Sequence, residues 1–148
     1  MWHPVLAGLL LALSNVCIHV VGSYICVAWI VHSYRRRPSL NLLLNSWILM
    51  RTVLLLLAMH SIEVAIWAEF YIWRRLFPDI ETAYYFSLVS YTTLGYGDVV
   101  MGRPWRIMAG WEAMIGVLMF GWSTATLVSF VHFVSEARLR KIIPAEWR

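Results

Sequence analysis

Residues 78–98 read Pro78-Asp79-Ile80-Glu81-Thr82-Ala83-Tyr84-Tyr85-Phe86-Ser87-Leu88-Val89-Ser90-Tyr91-Thr92-Thr93-Leu94-Gly95-Tyr96-Gly97-Asp98. Proline and aspartate followed by an acid form a helix start, and the residues up to Tyr91 supply about three helical turns. The extended piece that follows carries glycines at 95 and 97, which permit backbone angles that other residues resist. The segment is too polar to cross a bilayer alone, which takes about 20 apolar residues, and too hydrophobic for an ordinary loop. Backbone of this kind is tolerated at membrane depth only when protein buries it or it lines a cavity. It reads as a re-entrant helix whose carbonyl end, partly negative, points into the membrane, followed by an extended climb back out.

Long apolar runs flank this stretch, one over residues 42–73 and one over 107–134, and a further run over 4–32 carries no Asp, Glu, Lys or Arg. With 61% hydrophobic and 14% charged residues and a mean hydropathy of +0.68, the chain has too little polar surface to wrap a soluble core. That excludes a separate soluble catalytic or ligand-binding domain, and no enzyme chemistry is expected. The run over 4–32 lacks a basic leader and a small-x-small cleavage site, so it reads as a retained helix. The chain is then one membrane domain, 1–148, ending in a short tail over 135–148. The bilayer is its first partner. Its formal charge of +4 sits at helix ends with no groove-reading motif, so nucleic acid is not expected. Cys17 and Cys26 lie nine positions apart on one helix, beyond disulfide reach within a chain.

Arg35, Arg36, Arg37, Arg138, Arg140, Lys141 and Arg148 gather on one side, against Arg74, Arg75, Arg103 and Arg106 on the other. Positive-inside bias puts the first set, and the C-terminus, in the cytoplasm and the N-terminus outside, as in a multi-pass protein of the cell membrane.

Thr93-Leu94-Gly95-Tyr96-Gly97, extended to Thr92 and Asp98, resembles the selectivity filter of the tetrameric potassium channels, in particular the small bacterial ones. The resemblance covers roughly 42–134 and implies an all-α integral membrane fold. Three transmembrane helices, the first being an extra one, would join a re-entrant pore helix and filter loop in a homotetramer around the pore. It implies passive conduction of K+, with the carbonyls of Thr93, Leu94, Gly95 and Tyr96 and the Thr93 hydroxyl replacing the ion's hydration shell. Gly97 would complete the strand, Tyr96 would brace it, and Asp98 would stand at the outer mouth. Two positions depart from the family: Leu94 stands where valine is commoner, and Val89 where the best-known bacterial relatives carry glutamate. The second departure removes a hydrogen bond to the outer aspartate, so inactivation of the filter is expected to differ.

In the last span Gly121, Ala125, Ser129 and His132 share a helix face suited to lining an inner cavity, and Gly116 is a candidate hinge by resemblance. Close helix packing is the competing use of such small residues. His132 at the inner mouth could titrate and gate. Glu63 shares a face with Asn45, Thr52, His60 and Trp67, and Gly8, Ala12, Asn15, His19, Gly22 and Cys26 form a stripe that could meet it. Glu112 is expected to make a structural hydrogen bond behind the pore helix. His19 and His60 fall at similar depth, so a rival reading takes them as axial ligands of haem b, in a redox carrier, a sensor or a haem-regulated channel.

Overall fold

The computed structural model describes residues 2–36 and 42–142. Arg37, Arg148 and the end of the tail, 143–148, lie outside the described residues. Four helices follow in order: α1 (Trp2–Arg36), α2 (Leu42–Trp73), α3 (Ile80–Tyr91) and α4 (Ile107–Ile142).

Three of these, α1, α2 and α4, are long and apolar enough to cross a membrane. At about 1.5 Å per residue each exceeds the ~30 Å hydrocarbon thickness, so their ends project. The α4 helix continues past 134 to Ile142 because Ala137, Arg138, Leu139 and Arg140 are good helix formers with no glycine or proline among them. Only α3, with 12 residues, is too short to span. Its start is set by Asp79, whose carboxylate accepts from the Thr82 N–H at 2.8 Å and from the Thr82 hydroxyl at 3.0 Å.

The α3 helix packs against both α2 and α4, while α1 packs against α2 and α4 from the other side. The main core forms around α3, where Val64, Trp67 and Tyr71 of α2 meet Phe86 and Tyr91 of α3 and Ile115 of α4. A smaller cluster of Cys26, Ile30, Ile48, Phe130 and Val134 closes the far end of the bundle. The remaining apolar surface faces outward: Leu10, Leu57, Leu118 and Val128 are all more than half exposed. That inverts the soluble pattern and suits lipid or a neighbouring chain.

The two polar stripes meet. The Asn15 amide, oriented by its surroundings, accepts from the Trp67 indole N–H at 3.1 Å and donates to the Leu11 carbonyl. His19 reaches Glu63. Gly22 lies directly against the Met59 side chain, so a β-carbon there would overlap it. A helix otherwise surrounded by hydrocarbon thus places its few polar groups where partners wait.

Candidate functional site

The segment after α3 is shaped by where its N–H groups go. Thr93 N–H donates to the Ser90 carbonyl at 2.9 Å, and the N–H groups of Leu94 and Gly95 both donate to the Val89 carbonyl, at 2.9 and 3.3 Å. Each peptide plane holds its C=O opposite its N–H, so the carbonyls of Thr92, Thr93 and Leu94 turn away from α3. Among the described residues no donor meets the carbonyls of Thr93, Leu94, Gly95 or Tyr96. The backbone is left-handed at Thr93 (φ 60°), Gly95 (φ 57°) and Gly97 (φ 79°). For β-branched Thr93 this is a strained conformation, of the kind that concentrates at functional sites. The two glycines adopt it without a Cβ penalty.

Residues 92–98 are all exposed in the single chain, including the Tyr96 ring at 67%. Asp98 is not left alone as position 89 suggested: Val89 indeed offers no polar side chain, but the Tyr85 hydroxyl donates to Asp98 Oδ2 at 2.6 Å. The bond comes from one turn further up α3. It holds the Asp98 carboxyl below the usual aspartate range.

Behind α3, Glu112 is fully buried and accepts from the Ser87 and Tyr71 hydroxyls, the latter at 2.7 Å. Ser87 also lies 2.9 Å from the Val64 carbonyl. This is a structural use of the carboxyl, joining α2, α3 and α4.

Deeper in the bundle a second cluster gathers all four helices. Glu63 Oε1 lies 2.9 Å from His19 Nδ1, and Oε2 lies 3.0 Å from His60 Nδ1 and accepts from the Tyr91 hydroxyl. On the far side of the rings, Ser123 Oγ stands 3.0 Å from His60 Nε2 and 3.4 Å from His19 Nε2. Sequence reasoning set the two histidines at one depth and placed Glu63 on the face of His60, but it missed Tyr91, Ser123 and Tyr85. Nothing in spacing marks them, since Ser123 pairs across 104 positions and lies off the Gly121–His132 face.

These distances decide the haem expectation. The His19 and His60 ring centroids are 5.4 Å apart and tilted by 39°, which leaves no slot for a macrocycle between them. All four ring nitrogens are already engaged by Glu63 and Ser123. The residues do not fit haem, and no redox role follows from them.

Along α4, Gly121, Ala125, Ser129 and His132 lie on an exposed face, and a β-carbon at Gly121 would meet nothing within 4 Å. His132 stands 3.8 Å from Glu136, one turn on. Gly116 is buried, and its position has a packing reason: its backbone lies directly on the Tyr91 carbonyl.

Comparison with known proteins adds the family. A family model described as "Ion channel" matches residues 47–132, from the body of α2 through α3 and the 92–98 segment into α4, and leaves α1 outside. Potassium voltage-gated channel protein shk-1 of Caenorhabditis elegans is 41% identical over 62 residues, which are 40% of this chain. The match spans only 12% of the length of that relative. No solved structure matches. With more than half of its residues inside the family match, the chain belongs to the ion channel family.

Proposed function

We propose that this chain is the subunit of a potassium-selective channel of the cell membrane, in which four copies surround an axis and residues 92–98 form the selectivity filter. The observation that carries the reading is the run of carbonyls from Thr93 to Tyr96, those of Thr93 and Leu94 turned off α3 and none accepting from a donor among the described residues. Enclosed by neighbouring copies, carbonyls without partners would be costly, and a ring of such carbonyls is the chemistry that replaces the hydration shell of a bare monovalent cation. The Thr93 hydroxyl adds a ligand at the inner end, and Asp98 sets a negative mouth at the other.

Several features agree with that assembly. One chain offers one strand, and four are needed to surround an ion. The exposed Tyr96 ring and the apolar outward faces of α3 and α4 suit packing against neighbouring copies. The short helix α3 would be re-entrant, with its C-terminal carbonyls aimed at the cavity. Gly121, Ala125, Ser129 and His132 would line that cavity. Positive-inside bias supports a cytoplasmic C-terminus and an outer N-terminus. The named potassium channel among the relatives supports the choice of ion.

The test is flux through purified protein in liposomes, with mass photometry on the same preparation. Potassium flux well above sodium flux from a four-chain particle is the expected result. Equal permeability, or a single-chain particle that conducts, would overturn the reading.

A further inference from the structure

The buried cluster behind the filter has a donor count that does not close. His60 Nδ1 also lies 3.3 Å from the Tyr91 hydroxyl, an approach that shares a proton already directed at Glu63; besides it, five contacts bind the cluster: Glu63 with His19, with His60 and with Tyr91, and Ser123 with each histidine. Each needs one proton. If Glu63 is ionised and both imidazoles are neutral, the protons available are one each from His19, His60, Ser123 and Tyr91, four for five contacts. With both Nδ1–H groups on Glu63, both Nε2 atoms need a donor, and the Ser123 hydroxyl can serve only one.

Charge gives the same answer independently. Glu63, His19 and Tyr91 are 0% exposed and His60 is 7% exposed. Among the described residues no lysine or arginine pairs with Glu63. A lone buried carboxylate there is costly, and one further proton makes the cluster neutral. With that proton every contact is satisfied, whether it is drawn on His19, on His60 or on Glu63, because the ring passes it round through Ser123. A dication bound by the same groups would leave net positive charge, and the Nδ1 atoms already sit at hydrogen-bond distance from the carboxylate.

We propose that His19, Glu63, His60 and Ser123 form a proton-binding site holding one exchangeable proton per chain, and that its occupancy is coupled through Tyr91 to the 92–98 segment. The coupling rests on reading that segment as the ion path. Tyr91 immediately precedes it and is gripped from two sides. Its hydroxyl bonds Glu63, its carbonyl lies on Gly116, and its ring packs on His60 at 6.0 Å and Phe120 at 5.5 Å. The groups facing the ring are His19 from α1, with the Trp122 edge against it, His60 and Glu63 from α2, Tyr91 from α3 and Ser123 from α4. Glu112 is the other acid nearby, and its oxygens are taken by Ser87 and Tyr71. A full deprotonation breaks one Ser123–histidine contact and leaves Glu63 a full carboxylate, so the acceptor that anchors the Tyr91 hydroxyl changes its charge and its grip.

The experiment uses histidine-labelled full-length protein in lipid bilayers, with ring nitrogens read by solid-state NMR and the Glu63 acid carbonyl by infrared spectroscopy. Potassium flux from the same preparation is measured between pH 5 and 9. One proton per chain is expected to leave the cluster within that pH range, with flux changing at the same pH. Ser123→Ala, a small change that keeps both Glu63 bonds, is expected to move that transition by about one pH unit. Unchanged protonation across the range, or bound metal found by elemental analysis in place of the proton, overturns the site. Titration with flux that ignores it, or a Ser123→Ala profile identical to wild type, overturns the coupling. Titration without potassium flux at any pH sinks the channel reading and the coupling with it, while supporting the proton site.

Discussion

Gly116→Ala offers a sharp test of how α4 seats against α3. A methyl group there would land on the Tyr91 carbonyl oxygen and come within 3.0 Å of its carbon and 3.2 Å of the ring Cδ1. The obstacle is backbone, so no rotamer change relieves it and the two helices must part. Overpacking of this sort costs about 1–3 kcal/mol, and a rigid neighbour puts it near 3. Replacing glycine by alanine inside a helix returns about 1 kcal/mol, leaving a net loss of about 2 kcal/mol per chain. Gly121→Ala is the internal control, since a β-carbon there has nothing within 4 Å. It gains the propensity term without the clash. Thermal unfolding of both variants in one detergent should therefore diverge in sign, Gly116→Ala falling by about 4–8 °C and Gly121→Ala holding or rising. Equal midpoints would refute the claim that α4 rests on the end of α3 through this glycine.

Tyr85→Phe removes the donor that holds the Asp98 carboxyl low, so its protonation moves up towards the ordinary aspartate range. Block of flux by external acid should then begin at higher pH than in wild type, and an unmoved profile would show that this bond does not govern the mouth. Gly95→Ala forces a side chain into left-handed backbone at φ 57°, a strain of about 1–2 kcal/mol; potassium flux should fall steeply while the particle mass stays unchanged. Glu112→Ala leaves the Tyr71 hydroxyl without its carboxylate partner, at about 1–3 kcal/mol for a buried group, while Ser87 keeps the Val64 carbonyl as its acceptor. Its unfolding midpoint should drop further than that of Glu112→Gln, which keeps an acceptor.

Much of this architecture is legible from residue order because single elements encode it. The three long helices follow from apolar runs, and the start of α3 from Asp79 with Thr82. Glycines two apart mark the 92–98 segment, and the stripes on α1 and α2 predict that those two faces meet, though not which side chains pair across them. What stays hidden are bonds between elements whose relative rotation no local pattern sets. Tyr85 reaches Asp98 only because α3 ends in a tight reversal, and Ser123 reaches both imidazoles only once α4 is laid across α1 and α2. The haem expectation fails for the same reason. Similar depth along two helices says nothing of the distance between their rings, and the acid that fills the gap belongs to one of those helices.

The contact between His19 and Glu63 also bears on how the chain is made. The α1 helix leaves the ribosome carrying Asn15 and His19, and the acid that His19 needs follows 44 positions later. Hydrocarbon offers these side chains nothing in the interval. The first two helices should therefore be released from the translocon together, as a hairpin zipped by Asn15 with Trp67 and His19 with Glu63, before α3 and α4 arrive to dock on them.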